Sequence, residues 1–221
     1  MKNGWSMKPH WIAPLFYSGV LISSIGTGAF GTAMFAFLIV NKFSLADAAL
    51  LLGLQRLVPT VVVAMAGHWT DRWSPRTTIV VAEVIAAAVS LALLLIWHGP
   101  ETSLLILGFL SVGRAVIGSF QLGSRAKISK ILSGSTYAGN SRHAMWLNKA
   151  TQGASLFSGG LAWLFVTYGS LEGAIVFDFA TFVLNGVIVF AIPNLEDSEK
   201  STAGASANSP ERWYQKFHSY M

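Results

Sequence analysis

Six stretches of this 221-residue chain run for about 20 residues or more with almost no charge, and that pattern decides the solvent in which the chain folds. A helix rises about 1.5 Å per residue and bilayer hydrocarbon is about 30 Å thick, so roughly 20 apolar residues cross it. The stretches are Trp11–Val40, Leu45–Ala66, Thr77–Trp97, Thr102–Gly123, Trp146–Tyr168 and Gly173–Ile192. Only 11% of the residues are charged and 53% are hydrophobic, whereas a soluble domain carries about 25% charge. A soluble enzyme is excluded on that balance. The 12% aromatic content and the mean hydropathy of +0.54 exclude a disordered chain as well. With no cysteine there is no disulfide framework, thiolate metal site, iron–sulfur cluster or thiol nucleophile.

The breaks between the stretches alternate in charge. Asn41–Ser44, His98–Glu101 and Gly169–Glu172 carry turn residues, whereas Gly67–Arg76 and Ser124–Met145 carry lysine and arginine. Lysine and arginine accumulate on the cytoplasmic side of a membrane. Lys2, Lys8, Arg72, Arg76, Arg125, Lys127, Lys130, Arg142, Lys149, Lys200, Arg212 and Lys216 fall on one side and Lys42 alone on the other. Both termini are therefore expected in the cytoplasm, in a multi-pass protein of the cell (inner or plasma) membrane. The net charge of +5 is then a matter of topology and calls for no nucleic acid. Trp11–Val40 is too long for the apolar core of a secretory signal, about 7 to 15 residues, and Ser23, Ser24, Gly26, Thr27, Gly28 and Gly31 in it favour close helix contact. Residues 1–193 are expected to form the membrane bundle and residues 194–221 a cytoplasmic linker, polar from Leu195 to Ser209 and aromatic again from Glu211.

Between the second and third stretches the chain reads Gly67-His68-Trp69-Thr70-Asp71-Arg72-Trp73-Ser74-Pro75-Arg76. Gly67 lets two helix ends approach closely, Asp71 suits a helix amino terminus or an arginine partner, and Arg72 and Arg76 fix positive charge at the membrane surface. This loop resembles the signature loop of the major facilitator superfamily. Arg114-Ala115-Val116-Ile117-Gly118 is similar to the family's second motif without its usual glutamine. Thr151 to Gly160, through Ser155, Gly159 and Gly160, is similar to its glycine-rich antiporter motif, with Ser155-Leu156 where Gly-Pro is usual. Ala174 to Val183, followed by Pro193, resembles the sixth span of the branch that includes macrolide and siderophore exporters.

The resemblance covers residues 11 to 193, the amino-terminal half of such a transporter. It implies an all-α integral membrane bundle of six transmembrane helices, arranged as two inverted three-helix repeats, with substrate bound between this bundle and a second one. That second six-helix bundle is either a missing carboxyl-terminal half or another chain. The implied function is proton-coupled efflux of amphipathic small molecules, with Gly67, Asp71, Arg72 and Arg76 acting as a conformational-switch loop and Thr151, Ser155, Gly159 and Gly160 packing helices together. The expected partners are the lipid bilayer and the small-molecule substrate, with no cofactor and no metal. A non-transporting membrane scaffold is the competing expectation, and an enzyme is disfavoured by the lack of clustered histidine and carboxylate residues.

Two further readings come from the residues themselves. The third stretch enters as Ile79-Val80-Val81-Ala82-Glu83 and the sixth as Ala174-Ile175-Val176-Phe177-Asp178, each with one carboxylate a few residues inside, as inverted repeats require. Arg56, Glu83, Arg114 and Asp178 fall within the apolar stretches, where a central charge costs about 2.5–3.5 kcal/mol and calls for a partner or water. Arg114, flanked by Gly113 and Gly118, is the expected cavity residue, either binding an anionic group or paired with a neighbouring helix. Arg56, near Pro59, is a similar candidate, and Glu83 and Asp178 are candidates for proton handling. The five histidines are expected at the surface.

Overall fold

The computed structural model describes residues 11–40, 44–70, 73–97, 104–133, 137–168 and 171–193, nearly all of them helical. In chain order the helices are α1 (Ile12–Val40), α2 (Leu45–Thr70), α3 (Pro75–Ile96), α4 (Leu104–Ser133), α5 (Tyr137–Thr167) and α6 (Leu171–Ala191). Side chains fix two of the starts. The Ser74 hydroxyl accepts from the Thr77 amide at 3.2 Å, and Pro75, first in α3, has no amide to satisfy. At α2 the Ser44 hydroxyl accepts from the Asp47 amide at 3.1 Å and donates to the Asp47 carboxylate at 2.7 Å, which holds a negative charge in the first turn, where the helix dipole favours it. Ser74→Ala is expected to cost about 0.5–2 kcal/mol at the start of α3. The measurement is hydrogen exchange at the Thr77 amide, and an unchanged rate would remove the cap from the account.

Among the described residues, five helices are long and apolar enough to cross a membrane: α1, α2 over Leu45–Val63, α3, α4 and α6. The burial pattern agrees with that medium. Large apolar side chains point outward, Leu105 at 83% exposure and Phe109 at 80%, while Glu83, Asp178 and Asn185 lie inside. Water would penalise so much outward apolar surface, and lipid does not. The chain is an all-α protein with the helices of a multi-pass membrane protein.

Two boundaries differ from those read in the sequence. The expected span Trp146–Tyr168 falls in α5, which is long enough but is not among the five, because Asn148, Lys149, Thr151, Gln152 and Ser155 dilute its apolar character. The expected basic connection Ser124–Met145 is largely helix: α4 continues to Ser133 and α5 begins at Tyr137. Residues 124–133 hold no proline and keep Ser124, Ile128 and Ile131 at helical spacing, with Ile128 buried, so nothing stops α4 where its apolar run ends. Residues 194–221, expected as a linker, lie outside the described residues.

α1 packs on α5 and α6, α4 packs on α2 and α3, and α3 packs on α6. The core is layered along the bundle. At one end Phe16, Val20, Ile79, Ile128 and Val189 form an apolar cluster, and at the other Phe30, Met34, Leu93, Leu107 and Ile175 form a second. Ala86, Ala87 and Phe182 meet where α3 crosses α6. Close approach of α1 comes from glycine: a Cβ on Gly26 would sit 2.9 Å from Thr181 Cβ of α6, and one on Gly28 would sit 2.8 Å from Ser158 Cβ of α5.

Candidate functional site

Between the two apolar clusters lies a polar layer built from α1, α3, α4 and α6. Asp178 of α6 sits one turn before Thr181 and is wholly enclosed, at 0% exposure. Its Oδ1 accepts from Arg114 Nη2 of α4 at 2.6 Å and its Oδ2 accepts from the Ser90 hydroxyl of α3 at 2.8 Å. Arg114 Cζ also lies 4.1 Å from the ring centroid of Phe30 and 5.3 Å from that of Phe182. A guanidinium held between a carboxylate and two aromatic faces is neutralised and desolvated together, which is how a charge persists at this depth.

A second group lies about two turns away, since Ser90 is seven residues beyond Glu83 on α3 and seven residues rise about 10 Å. Oε1 of the buried Glu83 accepts from Asn185 Nδ2 of α6, from the Ser23 hydroxyl of α1 at 3.3 Å and from Arg125 Nη2 of α4 at 3.3 Å. Arg125 Nη2 donates to Gln121 Oε1 at 2.8 Å as well. Among the described residues these bonds to the Glu83 carboxylate all converge on one oxygen. Glu83 Oε2, Asn185 Oδ1 and Arg125 Nε are buried without a partner among the described residues. Both oxygens of Asp178 are engaged, whereas Glu83 keeps one free for a proton or a water.

The two groups mirror each other across the α3–α6 contact. Glu83 of α3 receives from Asn185 of α6, and Asp178 of α6 receives from Ser90 of α3. In each helix acid and donor are seven residues apart, so the helices run antiparallel and each carries the other's hydrogen-bond donor. Both arginines come from α4, eleven residues or about three turns apart, and so leave the same face of that helix.

Of the residues singled out in the sequence, Arg114 and Asp178 come together and Glu83 joins the second group. Arg114 is enclosed, at 7% exposure, so it occupies the bundle interior as an ion-pair partner, not an open cavity. Arg125, expected as a loop charge, is a partly buried helix residue whose side chain is 11% exposed. Gln121, a polar residue one turn before it, is the signal that could have located it. Gly118 is exposed and meets nothing within 4 Å, so no neighbouring helix packs on it.

The expected packing stripe also shifts. Ser155, Gly159 and Gly160 are exposed, Thr151 is half-buried with its hydroxyl turned to backbone oxygens of its own helix, and Ala154, Ser158 and Ala162 face inward instead. Ser158 donates to Ile25 O of α1 at 3.1 Å. The stripe at the same spacing one face round won because its members meet α1.

Arg76, second in α3, donates from Nη2 to Phe190 O at 2.5 Å and lies 5.3 Å from the Phe190 ring, so it caps the end of α6. Gly67 lies in the last turn of α2 and Arg56 midway along it, while Asp71 and Arg72 lie outside the described residues. His143, expected at the surface, is half-buried, with Nδ1 2.7 Å from the Tyr17 hydroxyl. No three histidine, aspartate or glutamate residues converge as metal ligands among the described residues. Comparison with protein-family models, with curated proteins and with solved structures finds no match to this chain.

Proposed function

We propose that this chain is one six-span half of a secondary transporter of the major facilitator type, exporting amphipathic small molecules driven by the proton gradient, in company with a second six-helix bundle. In this reading α1–α3 and α4–α6 are inverted triplets in the cell membrane, with both termini in the cytoplasm. The observation that carries it is the reciprocal bonding of α3 and α6. Exchanging the triplets turns the α1–α5 and α1–α6 contacts into α4–α2 and α4–α3 and leaves α3–α6 unchanged, and those are the principal contacts of the bundle. Inverted repeats produce that invariance, and transporters built from them place ionisable groups near the repeat interface.

Within this reading Glu83 is the proton carrier, because its unengaged Oε2 accepts a proton without breaking a bond. Asp178 is the fixed counter-ion of Arg114. Arg76 and the Gly67–Arg72 segment form the switch at the membrane surface, and α5 completes the set of spans.

The test has two parts. Reporter fusions after Gly99, Ser135, Ser170 and Ser201 should read outside, inside, outside and inside, and any other order removes the topology. In efflux-deficient cells, the chain expressed with a second bundle should lower dye accumulation, and Glu83→Gln should restore it to the level of empty cells. One observation favours a second reading, a non-transporting scaffold: both ion pairs are closed within the bundle and hold it together without any substrate. A scaffold would leave dye accumulation unchanged in every combination while keeping the same reporter order.

A further inference from the structure

Along the seam of α4 and α5 runs an open groove of about 440 Å³, within the range of about 300–1,000 Å³ typical of small-molecule sites. Its two walls differ in character from its rim. Leu122, Ala126, Ala144 and Leu147 give apolar surface, and Arg125 and Lys130, both from α4, give positive charge. Asn148, Ser129 and Thr151 complete the lining, so no carboxylate is among the groove residues. Ser129 is tied in turn to the Tyr17 hydroxyl of α1 at 3.3 Å.

Arg125 belongs to the groove and to the buried polar layer at once. Its inward bonds to Ser23, Glu83 and Gln121 all leave from Nη2, the ion pair with Glu83 is 3.3 Å long against 2.6 Å for Arg114 with Asp178, and its Nε has no partner among the described residues. Among the described residues, no aromatic ring covers it in the manner of Phe30 and Phe182 over Arg114. Arg114 Nε is likewise buried without a partner among the described residues, but Arg114 lies under Phe30 and Phe182 away from the groove, so of the two arginines Arg125 is the one that lines the groove and can meet an incoming acid.

The geometry points to the α4–α5 groove as a binding site for an amphipathic anion, an acidic headgroup on a hydrocarbon chain, with Arg125 and Lys130 holding the head and the Leu122, Ala126 and Ala144 surface holding the chain. This goes beyond the transport reading, because every lining residue belongs to this chain and no second bundle is needed. A bilayer phospholipid and a free single-chain amphiphile share that chemistry, and the groove's charge selects both against neutral lipid.

The test is isothermal titration of the purified full chain in neutral maltoside micelles with dodecyl phosphate, phosphatidylglycerol, phosphatidylcholine and inorganic phosphate. At least one of the first two should bind roughly tenfold or more tighter than phosphatidylcholine, and inorganic phosphate should not bind measurably. Binding of phosphatidylglycerol assigns a bilayer lipid, and binding of dodecyl phosphate alone assigns a free amphiphile. Lys130→Gln should weaken binding roughly three- to tenfold, and Ala144→Trp, which fills the groove from an exposed position, should weaken it roughly tenfold or more. Neither variant touches Glu83, so their helical content should stay at the wild-type level, and Arg125→Gln is added as the variant with the largest loss. Phosphatidylcholine binding as tightly as the anions, inorganic phosphate binding without a chain, or affinities unmoved by Lys130→Gln and Ala144→Trp would each overturn the proposal.

Discussion

Asp178→Ala is expected to destabilise the bundle by about 3–5 kcal/mol, the cost of leaving a buried charge without its partner. The loss is not the strength of the Arg114–Asp178 bond. It is the penalty on a guanidinium that remains enclosed, with its neutralising carboxylate gone and two aromatic faces worth only about 0.5–2 kcal/mol in its place. Ser90 loses its acceptor at the same time. Removing both charges has the opposite logic. Arg114→Met combined with Asp178→Leu replaces the pair with apolar volume beside Phe30 and Phe182, and such replacements are often neutral or stabilising by about 1–4 kcal/mol. Asp178→Asn falls between, because an amide can still accept from Ser90 but cannot neutralise Arg114. Reversible unfolding in mixed micelles of rising dodecyl sulfate measures the wild type, Asp178→Ala, Asp178→Asn, the single variants Arg114→Met and Asp178→Leu, and their double variant. Strong non-additivity is the expected signature, with a double variant far more stable than either single one. If the two single losses simply add, Arg114 and Asp178 are not paired in the folded bundle.

The helices were readable from the sequence because hydrocarbon imposes a length and a composition that few other environments impose. Less was readable where a choice depends on a neighbouring helix. Arg114 and Asp178 were conspicuous as charges in apolar surroundings, yet nothing local says that they meet each other, since sixty-four residues separate them. The role of Arg125 is hidden in the sequence for a specific reason. The apolar run ends near Gly123, and counting lysine and arginine by loop treats every charge beyond that point as solvated, whereas α4 goes on for three more turns with one face still buried against α1 and α3.

Small residues posed a different ambiguity. Thr151, Ser155 and Gly159 have the same four-residue spacing as Ala154, Ser158 and Ala162, and only the position of α1 distinguishes the face that packs from the face left open. The donor role of Asn185 had a sequence signal, its distance of seven residues from Asp178, but the matching Glu83–Ser90 spacing becomes meaningful only once α3 and α6 are seen to be antiparallel.

Gly26→Leu is expected to lower stability at the upper end of about 1–3 kcal/mol, the usual cost of forcing side-chain volume into a filled interface. Helices in lipid gain nothing from burying apolar surface against one another, so α1 and α6 are held by close packing and hydrogen bonds, and the closeness is set by what Gly26 lacks. An added Cβ would meet Thr181 Cβ at 2.9 Å and its methyl at 3.0 Å. Thr181 cannot readily turn aside, because its hydroxyl donates to Asp178 O at 2.8 Å, one turn from the carboxylate that neutralises Arg114. Pressure at Gly26 is therefore transmitted to the ion pair. Gly31 supplies the control on the same helix: nothing lies within 4 Å of a Cβ there, so Gly31→Ala should stabilise by about 0.5–1 kcal/mol through helix propensity alone. Gly26→Ala should destabilise despite the same propensity gain, and Thr181→Gly in the Gly26→Ala background should recover much of the loss by opening the contact. Opposite signs at Gly26 and Gly31, measured by the same micellar unfolding, are what a glycine contact requires; stabilisation at both positions would mean that α1 and α6 do not approach each other at Gly26.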